Sequence, residues 1–162
     1  QMQSDLAEAY YHRGNAHGAH GDMQGAIRDY DEALRIAPDY AEAYNNRGIE
    51  YYNQGDFKEA ITNFNQALRI KPNFADAYIN RGLTHGTWSN SDDAISNFMK
   101  AIHLEPDIEA TYYHLAKALE KKEEYKAALS NYQKYLYFSK GIQYGNQENA
   151  KEAIQRLRKK IK

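Results

Sequence analysis

The chain of 162 residues has no cysteine. That excludes disulfides, a cysteine nucleophile, thiolate zinc sites and iron–sulfur clusters. No apolar run approaches the roughly 18 residues of a membrane-spanning helix. No apolar segment follows Gln1, so neither a membrane span nor a signal peptide is expected, and a soluble, cytoplasmic location is favoured. An excess of one charge is missing too: 21 Lys+Arg against 22 Asp+Glu leaves a net charge of -1, unlike a nucleic-acid-binding domain. Proline is scarce. Pro38, Pro72 and Pro106 are the whole complement, and they lie 34 and 34 residues apart. What remains is 42% hydrophobic and 27% charged, the composition of a globular chain.

The proline spacing marks an internal repeat. Registers of 34 residues starting at Ala7 give blocks 7–40, 41–74, 75–108 and 109–142. The fourth slot of each block is Tyr10, Tyr44, Tyr78 and Tyr112. The seventh and eighth are Arg13-Gly14, Arg47-Gly48, Arg81-Gly82 and Leu115-Ala116. Ala26, Ala60, Ala94 and Ala128 share a slot, as do Tyr30, Phe64, Phe98 and Tyr132. Within a block the apolar spacing is helical. Tyr44, Gly48, Tyr51 and Tyr52 share one face of a first helix; Ala60, Ile61, Phe64, Ala67 and Leu68 share one face of a second. Gly55 breaks the two apart, Asp56 and Glu59 form a capping box, Pro72 stops the second helix, and Asn73 is placed to cap the next. Small residues at the eighth and twentieth slots let the helices approach, and aromatics at the fourth and twenty-fourth fill what is left. No block buries its apolar face alone, so the blocks must stack.

This pattern resembles the tetratricopeptide repeat family over residues 7–142, most closely from Ala41 to Pro72. The resemblance implies an all-α solenoid of four helix-turn-helix repeats in a right-handed superhelix. A C-terminal capping helix at about 146–161 would make nine helices in a single domain spanning 1–162. The third block departs from the pattern at its turn, Ser89-Asn90-Ser91, where Trp88 is expected to supply the missing aromatic bulk. The fourth is degenerate, with Ala116, Glu123, Tyr135 and Lys140 at slots that hold Gly, Gly, Ala and Pro elsewhere. A loop through Lys140-Gly141 and Tyr144-Gly145-Asn146 then leads to Ala150, Ala153, Ile154, Leu157 and Ile161. These form the apolar stripe of the last helix, which starts near Asn146 or Asn149.

Catalytic constellations are lacking. There is no Gly-x-Ser-x-Gly, no Gly-Lys-Ser/Thr loop and no His-Glu-x-x-His, so no enzyme and no cofactor are expected. The run Gly14, Gly18, Gly21, Gly25 follows no strand and lacks Gly-x-Gly spacing. Of the six histidines, His17 and His20 could form half a metal site, but no carboxylate or third histidine is evident to complete it. The pairs Asp92-Asp93 and Glu123-Glu124 stand where acidic residues favour the start of a helix. The fifteen tyrosines fall mostly at repeat slots, leaving little for base stacking, so no nucleic-acid partner is expected.

The resemblance also implies where a partner would bind. In the family the first helices line a concave groove, at slots two, five, six, nine and thirteen. Carried over by slot, block one contributes Glu8, Tyr11, His12, Asn15 and Ala19; block two, Glu42, Asn45, Asn46, Ile49 and Asn53. Block three contributes Asp76, Ile79, Asn80, Leu83 and Thr87; block four, Ala110, Tyr113, His114, Lys117 and Lys121. Amides such as Asn46 and Asn80 can pair with an extended peptide backbone. A protein or peptide partner in this groove is the expected function. The mode by which some members hold a chaperone's C-terminal carboxylate is disfavoured. Asn15 and Asn46 match its amides, but Tyr11, Asp76 and Asn80 occupy the cation slots. Arg13, Arg47 and Arg81 replace an apolar family residue and are expected to form a structural ladder between repeats. Finally, residues 1–108 carry 9 Lys+Arg against 16 Asp+Glu, net -7, and residues 109–162 carry 12 against 6, net +6. The alternative function is therefore a self-associating structural module, a homo-oligomer joined through its acidic N-terminal and basic C-terminal ends.

Overall fold

The computed structural model describes residues 2–88, 90–140 and 145–161. Ser89, Gly141 and Tyr144, assigned above to the third turn and the last loop, lie outside the described residues, as does the end of the fourth block at 141–142. Among the described residues there are nine α-helices and no strand. First helices of the repeats are α1 (Met2–Ala19), α3 (Ala41–Asn53), α5 (Ala75–Trp88) and α7 (Glu109–Lys121). Second helices are α2 (Met23–Ile36), α4 (Phe57–Ile70), α6 (Ser91–Leu104) and α8 (Tyr125–Phe138); α9 (Gln147–Lys160) follows. The chain forms two compact units, Gln1–Thr84 and His85–Lys162, with the division inside α5.

In the first unit each helix pair closes on a glycine–aromatic contact. A Cβ on Gly14 would lie 2.8 Å from the Tyr30 ring, and one on Gly48 would lie 2.7 Å from Phe64. Both distances are too short for any side chain, so only glycine admits these rings. Ala26, Ala33, Ala60 and Ala67 are fully buried around them. Each buried aromatic contributes roughly 1.5–3 kcal/mol through surface removed from water. α3 also packs on α2 and α1, and Ala67, Leu68 and Ala77 form a core bordered by Tyr44, Phe74 and Tyr78. Asp22 and Asp56 cap α2 and α4, accepting the backbone N–H groups of Gly25 at 2.8 Å and Glu59 at 3.2 Å. The capping expected of Asn73 does not occur. Phe74 holds the position before α5, its carbonyl accepting the N–H of Tyr78, as Tyr40 does before α3. The aromatic ring is wanted there for packing, so the cap carries no polar side chain.

In the second unit Asn90 caps α6 by accepting the N–H groups of Asp92 and Asp93. α6 packs on α7, α7 on α8, and α8 on α9. The degenerate fourth block compensates within its own slots. Ala116 is fully buried where the other blocks carry glycine. Tyr135, in place of alanine, is buried and its hydroxyl accepts the N–H of Asn146 at 2.7 Å, which fixes the entry to α9. α9 buries Ala150, Ala153, Ile154 and Leu157 and leaves Lys151, Arg158 and Lys159 exposed, the arrangement of a solvating cap. Trp88 does not fill the third turn as expected. It ends α5 with 51% of its surface exposed.

The turn between paired helices needs a left-handed residue. Gly21 adopts φ 79° and Gly55 φ 82°. At the same slot of block four Glu123 is forced to φ 64°, a conformation costing a side-chain-bearing residue about 1–2 kcal/mol. Glu123→Gly is therefore expected to stabilise the chain by about 1 kcal/mol, raising Tm by about 2–4 °C in a thermal melt followed by circular dichroism. A lower Tm would show that the Glu123 side chain contributes more than its backbone costs.

Candidate partner-binding surface

The first unit joins five of the expected groove residues, Tyr11, Asn15, Asn45, Asn46 and Asn80, into one hydrogen-bonded row. Tyr30, lodged against Gly14, donates its hydroxyl to Asn15 Oδ1 at 2.8 Å. Asn46 Nδ2 donates to Asn15 Oδ1 at 2.9 Å and to the Tyr11 hydroxyl at 3.1 Å. Asn45 Nδ2 donates to Asn46 Oδ1 at 3.1 Å, and Asn80 Nδ2 donates to Asn45 Oδ1 at 3.0 Å. The row thus crosses α1, α3 and α5. Both amide hydrogens of Asn46 are spent, so towards a ligand it retains only a carbonyl lone pair. Asn45 is 4% exposed and sits inside the row rather than on its surface. Asn15, Asn46, Ile49, Ile79, Asn80 and Leu83 are half-buried; His12 and Asn53 are exposed. Tyr11 packs its ring 4.8 Å from Tyr40 and 5.3 Å from His12. Burial, with Tyr11, Glu8 and Glu42 nearby, pushes the Tyr40 phenol up to about 12.

The arginine slot forms the expected ladder. Arg13 forks onto Asp29 at 2.8 and 2.7 Å, and that hydrogen bonding holds the buried Asp29 carboxyl below its usual range. Arg47 donates to Asn63 in its own repeat at 2.8 Å and to Asp31 in the preceding one at 2.5 Å. Arg81 donates to Asn65 of the preceding repeat at 2.7 Å. Each guanidinium also covers the tyrosine three residues earlier, at 5.3, 5.4 and 5.4 Å from the rings of Tyr10, Tyr44 and Tyr78. His17, for which no neighbouring carboxylate was evident, in fact meets two. Its Nδ1 is 2.9 Å from Asp22 and its Nε2 3.7 Å from Asp29, brought close by the turn into α2. His20 instead turns back to the carbonyl of Ala16, and among the described residues no three ligating side chains group to hold a metal.

In the second unit the expected groove residues divide. Tyr113 is 8% exposed, with its ring 5.8 Å from Tyr132 and 5.2 Å from Tyr135. It is part of the packing. His114 stacks on Phe98 at 5.9 Å, and burial together with Lys117 holds its imidazole below the usual value. Lys117 is exposed over the Tyr113 ring at 5.7 Å. Sequence reasoning did not anticipate a cleft of about 590 Å³ between α7, the start of α8 and α9. Its α9 wall, with Arg156 and Lys160, joins α7 across an intervening helix, and no spacing rule connects the two.

Fold and surface together define a helical-repeat protein that offers side chains from successive first helices. The chain belongs to the tetratricopeptide repeat family. Profiles described as "Tetratricopeptide repeat" match residues 7–40, 29–62 and 75–108, and one described as "TPR repeat" matches 48–87. No curated protein matches the chain. Among solved structures, MamA is similar with a TM-score of 0.83 at 23% identity, covering 96% of this chain and 82% of that one. The first TPR of Spaghetti (RPAP3) bound to an HSP90 peptide has a TM-score of 0.72 at 22% identity, covering 74% and 95%. An O-GlcNAc transferase mutant from Thermobaculum terrenum has a TM-score of 0.75 at 21% identity, covering 86% of this chain and 26% of that one. The repeat is in general a scaffold for protein–protein interaction, although one of these neighbours is an enzyme. Among the described residues no helix is long and apolar enough to cross a membrane.

One buried acid stands apart from the row. Glu50 on α3 is 7% exposed and packs against α1 where Gly18 leaves room; a Cβ on Gly18 would lie 2.6 Å from its carboxylate. Burial raises its pKa, and a hydrogen bond from Asn53 only partly offsets this. A carboxyl raised in the folded state binds more protons there than in the unfolded chain. Its charge therefore weakens the fold at neutral pH, and the penalty disappears as pH falls through the raised value towards the ordinary one near about 4.3. Glu50→Gln should melt above the parent chain at pH 7, and the difference should close as the pH approaches 4. An equal or lower melting temperature for the variant at pH 7 would contradict this.

Proposed function

We propose that the chain is a protein-interaction module whose first helices hold a peptide or protein partner. In the first unit the surface comprises Tyr11, His12, Asn15, Asn46, Ile49, Asn53, Ile79, Asn80 and Leu83, backed by Asn45. In the second it comprises His114 and Lys117 over the buried Tyr113. The hydrogen-bonded row from Tyr30 to Asn80 carries this reading. It fixes half-buried amides and a phenol in one orientation before any partner arrives, so little side-chain entropy is left to lose on binding. The peptide named with the Spaghetti structure supports a peptide-sized ligand for this fold. A partner's side chains would seat beside Ile49 and Leu83, and its donors would meet the carbonyl of Asn46.

Asn46→Ala with Asn80→Ala should weaken binding of a partner isolated from native lysate by about tenfold or more, the scale of one or two lost hydrogen bonds. Because the same amides tie helices together, a separate variant, Ile49→Lys, places a charge on the surface without touching the row. It should weaken binding with an unchanged melt. Full affinity in both variants would move the site elsewhere.

A second reading rests on the charge division, -7 over residues 1–108 and +6 over 109–162. Copies would associate through opposite charges. That attraction is screened as the Debye length falls from about 10 Å at 0.1 M salt to about 3 Å at 1 M. Sedimentation should then show oligomers at low salt that dissociate at high salt. A monomer at high protein concentration and low salt would exclude this assembly.

A further inference from the structure

The cleft in the second unit has an uneven balance of satisfied and unsatisfied charge. Its floor is Tyr113, Tyr132 and Ala153. Its inner acid, Glu120, is fully engaged: Oε1 accepts from Arg156 Nε at 3.1 Å and from a terminal guanidinium nitrogen at 2.7 Å, and Oε2 accepts from the Tyr132 hydroxyl at 3.0 Å. That pair neutralises itself and pins α9 to α7. Three ammonium groups remain around the opening, Lys117 and Lys121 on α7 and Lys160 on α9. Among the described residues none of the three has a carboxylate partner. Lys117 and Lys160 instead lie over aromatic faces, 5.7 Å from the Tyr113 ring and 4.6 Å from the Tyr125 ring. Lys117 and Lys121 are one helical turn apart, a spacing at which like charges repel. Two acids also border the cleft. Glu152 lies one turn from Arg156 and acts on its charge, and Glu123 is exposed in the strained turn.

We propose that this cleft binds carboxylate side chains of an acidic peptide segment. Lys117, Lys121 and Lys160 would donate charge-assisted hydrogen bonds, with the rings of Tyr113 and Tyr125 lying beneath the ammonium groups of Lys117 and Lys160. A volume near 590 Å³ is within the range of sites that enclose a small ligand, or a few side chains of a larger one. Because Lys117 and Lys121 belong to the first-helix slots, the proposal rests on the partner-surface reading above and states the chemistry of the partner at this end. The site uses α7 and α9, the latter standing where the first helix of a further repeat would stand.

The test uses the full chain and two fluorescent peptides, one of alternating Glu and Ala and one with Gln in place of each Glu. Binding is read by anisotropy at about 0.05 M and about 0.5 M salt, which brackets the range over which exposed charges are screened. The Glu peptide should bind at least tenfold more tightly than the Gln peptide at low salt and lose most of that advantage at high salt. The triple variant Lys117→Gln, Lys121→Gln, Lys160→Gln should abolish the preference. Lys100→Gln, an exposed lysine of α6 outside the cleft, and the Asn46→Ala, Asn80→Ala pair should retain it. Equal binding of the two peptides overturns the proposal, as does a preference that survives the triple variant or is lost equally in Lys100→Gln. The two readings fail separately. Equal binding of both peptides that weakens with Asn46→Ala and Asn80→Ala would leave the partner surface standing and remove its acidic specificity.

Discussion

The close approach of paired helices at the glycine slot is the constraint on which the first unit depends. Gly14 and Gly48 have no Cβ, so the rings of Tyr30 and Phe64 can lie where a methyl group would be. That contact sets how deeply each second helix seats on its first. It also sets what the neighbouring side chains can reach. The Tyr30 hydroxyl arrives at Asn15 because the ring is inserted beside Gly14, and from Asn15 the row of amides runs on to Asn80. The same seating brings Asp29 and Asn63 under Arg13 and Arg47. One steric vacancy per repeat therefore organises both the polar row and the arginine ladder.

The two units meet the cost of their polar groups differently. In the first, amides satisfy one another and the ladder arginines donate to side-chain oxygens of the second helices. Glu50 is the exception, a carboxyl held against burial. In the second, aromatic rings replace amides in the packing, and the cleft lysines Lys117 and Lys160 rest on rings rather than on acids. The result is a surface of oriented neutral groups on one unit and a cleft with unspent positive charge on the other. On the proposed reading, recognition by the first would rely on shape and hydrogen-bond direction, and recognition by the second would be electrostatic and screened by salt.

Much of this was legible in the sequence because the repeat determines it. Prolines and alanines recur every 34 residues, the helices follow that period, and Asp56 caps α4 as expected. The recurrence of Arg13, Arg47 and Arg81 indicated a ladder, and the ladder is present. The departures from the period were harder to read. Trp88 was expected to fill a turn and is exposed, because an aromatic at a helix end fills a space only if its rotamer points there. Asn73 was expected to cap a helix and is displaced by Phe74. Tyr135 looked like a loss, yet its hydroxyl anchors α9. His17 meets two carboxylates, one just past the turn and the other nearly two turns into α2.

The repeat, the nine helices among the described residues, the apolar faces and the residue types on the first helices can be read from the linear pattern alone. Those depend on local spacing, backbone preference and burial, all of which a linear pattern carries. Folding in three dimensions fixes which amide hydrogens are spent, that Asn45 and Tyr113 face inward, and that Lys160 stands across from Lys117 and Lys121. These depend on side-chain direction and on helices far apart in the chain. A hydrogen bond is made or lost over a few tenths of an ångström, and no periodicity specifies position that finely.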